Sequence, residues 1–94
     1  MKAKVLLNQL SANPFHEKYK GIYSQVGSTL VPLTTAKVDA EGNLIFFRQH
    51  RKTPMTEKTL FSLLLLHKNK HLYCWNSRKI AIYGYRVENG KIIV

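Results

Sequence analysis

Leu60-Phe61-Ser62-Leu63-Leu64-Leu65-Leu66 is the most apolar run in the chain, and it limits the fold more than any other stretch. It is far shorter than the roughly twenty residues a membrane-spanning helix needs, so it belongs inside a folded domain. Leucine favours helix over strand, and Leu60, Leu63, Leu64 and His67 keep the three-four spacing of one helical stripe. Phe61, Leu65 and Leu66 widen the stripe until little polar face remains, which predicts a helix buried on most sides, or else one that turns a greasy face to a partner. Two starts fit. Thr53 precedes Pro54, and proline suits the first helical position; Thr56 precedes Glu57, a cap followed by an acid that the helix dipole favours. Lys68 and Lys70 suit the negative end. The expected helix is 56–68.

Such a helix needs a sheet to cover it, and the rest of the chain reads mainly as strands. Residues 20–26 form one, closed by Gly27-Ser28; Thr29-Leu30-Val31 is extended, with Pro32 marking an edge or a bend. Residues 35–39 and 44–49 form a hairpin around Ala40-Glu41-Gly42-Asn43, where Gly42 or Asn43 takes a positive φ. In the second of these strands Leu44, Phe46, Arg48 and His50 share one face and Ile45, Phe47 and Gln49 the other. Both faces begin apolar and end polar, so the strand carries Arg48 and His50 out to a rim. Residues 71–75, 79–87 and 91–94 follow as strands. Asn89-Gly90 is the strongest hairpin signal and pairs Glu88 with Lys91, Val87 with Ile92, Arg86 with Ile93 and Tyr85 with Val94. Residues 3–7 fit a first strand or a short helix, and Pro14 makes 11–17 a loop. No period repeats along the chain. The predicted class is α+β, a strongly twisted antiparallel sheet of about five to six strands with one main helix packed on it, in a single domain over 1–94.

Charge bears on partners rather than on fold. Fifteen Lys and Arg against five Asp and Glu leave a formal charge of +10, the electrostatic footprint usual for nucleic-acid binding. Arg48, Arg51, Lys52, Lys68, Lys70, Arg78 and Lys79 gather around the helix with one acid, Glu57, among them. A helix of about twelve residues holds its ends ~18 Å apart, so two such patches suit a phosphate backbone or the two sides of a groove. Tyr73 and Trp75 alternate along one strand and Tyr83 and Tyr85 along another; Tyr73, Tyr83 and Tyr85 are candidate stacking residues beside Arg78, Lys79 and Arg86, while Trp75 reads first as core. The leading expectation is a non-enzymatic module that binds DNA or RNA without sequence preference.

Two alternatives carry the same charge. One is an accessory or inhibitor protein that docks on an acidic face of a partner; an exposed Leu or Phe patch rimmed by lysines distinguishes it. The other is a small metal-independent RNase in which His16 or His50 acts as base and Arg or Lys stabilises the transition state. His67 and His71 are four apart but flank lysines, there is no HExxH, and Cys74 is the lone cysteine, so neither a metal nor a disulfide is expected. G-x-x-x-x-G-K-[ST], GxGxxG and GxSxG are absent, so no cofactor is expected either. The unpaired thiol suits a reducing cytoplasm, and no membrane association is expected. An edge strand at 91–94 or 2–7 is open to pairing with a second copy.

Overall fold

The apolar run forms α2 (Glu57–Leu66) in the computed structural model, which describes residues 1–13 and 17–94. Thr56 is its cap: the Thr56 Oγ1 accepts from the Thr59 N–H at 3.2 Å, and Glu57 occupies the first turn. Leu60 and Leu64 are fully buried, whereas Phe61 and Leu63 are half-buried and Leu65 and Leu66 face outward. The expectation of burial on most sides is therefore corrected, because one stripe of α2 meets the core while Leu65 and Leu66 stand clear. The other helix, α1 (Ala3–Ser11), settles the strand-or-helix choice for the first residues. Lys2 gives it no side-chain cap. Instead the Ala3 and Lys4 N–H groups donate to the Lys70 and Lys68 carbonyls, at 2.9 Å each. That contact lays α1 antiparallel on α2 and brings Lys2 and Lys4 beside Lys68 and Lys70.

Around these helices run β1 (Ile22–Val26), β2 (Thr29–Leu33), β3 (Thr35–Val38), β4 (Leu44–Phe47), β5 (Leu72–Trp75), β6 (Lys79–Ala81), β7 (Arg86–Glu88) and β8 (Lys91–Ile93). The α+β class holds, with two four-stranded mixed sheets among the described residues, ordered β2-β1-β8-β7 and β3-β4-β5-β6. Each sheet is two antiparallel hairpins joined by one parallel pair, β1 with β8 and β4 with β5. The stretch expected as one strand over 79–87 is instead β6 and β7, which belong to different sheets with 82–85 crossing between them. The Asn89-Gly90 hairpin has the expected register for Arg86 with Ile93, Val87 with Ile92 and Glu88 with Lys91. The expected pair of Tyr85 with Val94 does not form, since β7 begins at Arg86 and the Val94 N–H donates to Tyr23. Both turn residues have positive φ (52° and 80°). Gly42, at φ 81°, closes the β3–β4 turn. Pro32 lies on an edge strand, where its missing N–H costs no ladder bond. The two segments expected as open edges are not edges: β8 is central in its sheet and 3–11 is helical.

The chain is built from one unit used twice, α-β-β-β-β over 1–47 and again over 55–94. Met1, Lys4, Leu6, Leu7 and Leu10 correspond to Met55, Lys58, Leu60, Phe61 and Leu64; Ile22-Tyr23 to Leu72-Tyr73; Lys37-Val38-Asp39 to Arg86-Val87-Glu88; Leu44-Ile45 to Ile92-Ile93. The backbone contacts repeat with them. Ile22 pairs with Ile92 and Tyr23 with Ile93, as Leu72 pairs with Leu44 and Tyr73 with Ile45. The Met1 amino group donates to the Ile82 carbonyl (3.0 Å) and the Met55 N–H to that of Leu33 (3.2 Å). The Ile92 N–H donates to Gly21 and the Leu44 N–H to His71. The reading that nothing repeats is thus overturned. Each sheet takes one hairpin from either unit, so the halves interlock; the radius of gyration, 12.3 Å, is that of one compact body of this length, about 12 Å.

The shared core lies between the sheets and under both helices. Leu6, Leu10, Ile22, Leu33, Leu44, Phe46, Leu60, Leu64, Leu72, Ile82 and Ile92 are its largest members. Cys74 joins it from β5, and burial raises the pKa of its thiol, which makes it a packing residue rather than a nucleophile.

Candidate nucleic-acid interface

Strand alternation puts Leu44, Phe46, Leu72 and Cys74 inward, and so leaves Ile45, Phe47, Tyr73 and Trp75 on the outer face of the β3-β4-β5-β6 sheet. Lys37 and Lys79 join them from the edge strands, since Lys37 is opposite Ile45 and Lys79 opposite Trp75. The Lys37 Nζ lies 5.8 Å from the centre of the Phe47 ring, and the Lys79 Nζ lies 4.5 Å from that of Tyr73. Between them is a cleft of about 450 Å³ lined by Lys37, Asp39, Glu41, Ile45, Phe47, Trp75 and Lys79. Trp75, 52% exposed, stands at its side rather than in the core, which corrects its first reading. Sequence alternation placed it with Tyr73; only the pairing to β4 shows that this face looks outward.

Lys79 is held in the cleft. Its ammonium donates to Asp39 Oδ2 at 2.7 Å and lies 3.5 Å from Glu41 Oε2. The hydrogen bond to Asp39 raises the Lys79 pKa. Asp39 in turn organises the β3–β4 turn: its Oδ1 accepts from the Glu41 and Asn43 N–H groups at 3.0 and 2.8 Å. Lys79 first, and Asn43 after it, hold the Asp39 carboxyl at a pKa of about 2. Because this folded value is below the unfolded one, about 3.9, the stabilisation is fully present above pH ~4 and is lost as pH falls toward 2. Asp39→Asn is therefore expected to melt below wild type at pH 5, with the gap shrinking at pH 2. An equal gap at both pH values contradicts this linkage.

Beyond Phe47 and Trp75 the sheet ends in cations. Residues 48–52 fold back against the start of β3: the Gln49 N–H donates to Thr34 Oγ1 (2.9 Å), Thr35 Oγ1 to Gln49 Oε1 (3.3 Å), and the Lys52 N–H to the Gln49 carbonyl (3.2 Å). Arg51 has a positive φ of 65° in this turn. Arg78 leaves the same end of the sheet, because β4 and β5 run parallel. Arg48, Arg51, Lys52 and Arg78 are all exposed and form one rim, with His50 among them.

The other predicted residues separate from this rim. Lys68 and Lys70 follow α2 at the opposite end of β5, about 15 Å of helix away, beside Lys2 and Lys4. Lys79 is committed to Asp39 and Glu41, and Tyr73 lies beneath its ammonium. Tyr83 stands out on 82–85, while Tyr85 packs against the core; their expected shared face does not form. Burial, and after it Tyr85, raises the pKa of neighbouring Tyr19. Phe47 and Lys37 belong to the site and are not among the predicted residues; the signal for Phe47 is the face of β4 that it shares with Ile45, and that for Lys37 is its place opposite Ile45 across the hairpin. His16 lies outside the described residues. Among the described residues no group of three or more His, Cys, Asp or Glu is placed to hold a metal, and no helix is long and apolar enough to cross a membrane. No protein-family model, curated protein or solved structure matches the chain.

Proposed function

We propose that the protein is a nucleic-acid-binding module that uses the outer face of the β3-β4-β5-β6 sheet and the rim at its end. The observation that carries this reading is the state of the charge. Of fifteen Lys and Arg, only Lys79 and Arg86 form an ion pair among the described residues. The cations of the rim are uncompensated, adjacent, and set beside exposed rings. Phosphates answer such a rim, and releasing their condensed counterions drives association. Aromatic faces next to it accept bases without reading their identity. The two units support the same assignment. They keep the same buried leucines, but Gln25 and Leu30 of the first sheet stand where the second has Trp75 and Lys79. The fold does not need the tryptophan, so its presence on this face answers to something outside the fold. A reducing compartment such as the cytoplasm suits the unpaired Cys74.

The test is binding of labelled single- and double-stranded DNA and RNA at two salt concentrations. Micromolar or tighter affinity at physiological salt is expected, with log affinity falling linearly in log salt by ~0.7–0.9 per phosphate contact. No binding to any of the four at physiological salt overturns the reading.

A second reading, docking on an acidic face of a partner protein, is favoured by the end of α2. Leu65 and Leu66 are 64% and 75% exposed, next to Lys68, at positions where α1 has Ser11 and is followed by Ala12. Exposed leucines rimmed by lysine are the feature expected of such a surface.

A further inference from the structure

We propose that the ligand is single-stranded nucleic acid, with one unpaired base laid against Trp75 in the cleft and its phosphates on the rim; this rests on the nucleic-acid reading above. The cleft is electrostatically divided. At its inner corner Asp39 and Glu41 already answer the charge of Lys79, so a phosphate gains nothing there. At its outer end Arg48, Arg51, Lys52 and Arg78 have no acid partner among the described residues. Between the two lies an apolar floor, the nearly buried Ile45, with Phe47 and Trp75 beside it.

A nucleotide in a single strand has this division built in, with a flat π-faced base at one end and a charged phosphate at the other. A duplex does not, because its base faces are stacked on one another and it offers the protein only edges and phosphates. Bringing a duplex base onto Trp75 requires flipping it out of the stack, an added cost that the unpaired base avoids. Single strands are recognised in general by rings that stack on splayed bases beside a positive groove. The space, about 450 Å³, is within the range of pockets that enclose a small ligand.

Trp75 is the single tryptophan of the chain, so its emission reports on this site alone. The full chain is titrated with labelled single-stranded RNA and DNA oligonucleotides and with blunt duplexes of the same sequence, following Trp75 fluorescence and oligonucleotide anisotropy together. Single strands are expected to quench Trp75 and to bind more tightly than duplexes. Trp75→Gln installs the residue that Gln25 shows the same strand position to accept, and circular dichroism checks its fold. It should weaken single-strand binding by about five- to a hundredfold and leave duplex binding unchanged. Anisotropy that shows single-strand binding while Trp75 emission and Trp75→Gln affinity stay at their starting values overturns this proposal and spares the nucleic-acid reading. Tighter binding of duplexes than of single strands does the same. Absence of binding to every oligonucleotide at physiological salt overturns both.

Discussion

Replacing Phe46 with alanine is expected to lower stability by about 3–5 kcal/mol, whereas the same change one residue on, at Phe47, costs less than about 1.5 kcal/mol. The two phenylalanines are adjacent on β4 and chemically identical, and they differ in the face they occupy. Phe46 is fully buried, pairs across the strands with Cys74, and belongs to the same core cluster as Leu60 and Leu64. Truncating it removes apolar burial and leaves a cavity that a core shared by two sheets and two helices closes only in part. Phe47 is half-buried on the outer face under Lys37, where water can fill the space. A domain of this size is stable by roughly 5–14 kcal/mol in all, so Phe46→Ala removes a large share of it. At about 4–8 °C per kcal/mol, its midpoint falls by at least about 12 °C. Thermal melts of both variants check this. Equal losses contradict the inner and outer faces described for β4.

That contrast shows which parts of the architecture are local enough to be read from sequence. The β7–β8 register follows from Asn89-Gly90, two residues suited to positive φ, and a two-residue loop leaves one pairing. The start of α2 follows from Thr56-Glu57, and the exit of Arg48 and His50 to a rim follows from the fade in hydrophobicity along residues 44–49. These signals reside in a few neighbouring residues. What was not legible depends on partners far away in the chain. Nothing in Tyr73-Cys74-Trp75 says which face looks inward, because a cysteine between two rings alternates as well either way; the pairing of Cys74 with Phe46 decides it. Nor does 79–87 announce a break, since its β-formers suit both β6 and β7, and the change of sheet occurs across Ile82-Tyr83-Gly84-Tyr85.

The repeated unit was hidden for a different reason. Repeat architectures are usually found by self-similarity at a fixed spacing, and here the spacing drifts. Lys4 corresponds to Lys58, Tyr23 to Tyr73, Lys37 to Arg86 and Gly42 to Gly90, so the interval shortens at each loop. The longer connection from α1 to β1, a β5–β6 hairpin one residue shorter overall than β1–β2, and the tighter β7–β8 turn each leave the second unit with fewer residues. What persists is physical rather than literal: leucines one helical turn apart, a tyrosine on the outer side of the first strand, a glycine at positive φ in the second hairpin. Once the units are superposed in this sense, their differences become informative. Trp75, Lys79 and the leucine pair at the end of α2 mark surfaces on which the second unit departs from the first.

Reversing three charges at the rim, as Arg48→Glu/Lys52→Glu/Arg78→Glu, is expected to weaken nucleic-acid binding on the order of a hundredfold at 0.15 M salt. Each phosphate contact contributes ~0.7–0.9 to the slope of log affinity against log salt. Relative to 1 M salt this is about four- to fivefold per contact at 0.15 M, so losing three reaches roughly a hundredfold and lowers the slope by about two to three. Arg51 is left in place because its backbone is at positive φ, and a substitution there would mix turn stability with charge. Net charge alone would produce part of any such loss, so the comparison is with Lys4→Glu/Lys68→Glu/Lys70→Glu at the far end of α2. Both triples change the formal +10 by the same amount, and both sets of side chains lie at or near the surface; because acids at 68 and 70 oppose the dipole at the end of α2, circular dichroism checks the fold of each triple before affinities are compared. Between folded variants the difference that bears on binding is where the charge is removed. If phosphates lie on the rim, the far-end triple loses less than about tenfold and keeps most of its salt slope, because at physiological ionic strength charges beyond the ~8 Å screening length contribute little. If the two triples lose the same affinity and the same slope, binding follows the charge of the whole molecule and the rim is not the site. A greater loss from the far-end triple would instead move the phosphate track to the meeting of α1 and α2, where Lys2, Lys4, Lys68 and Lys70 are gathered.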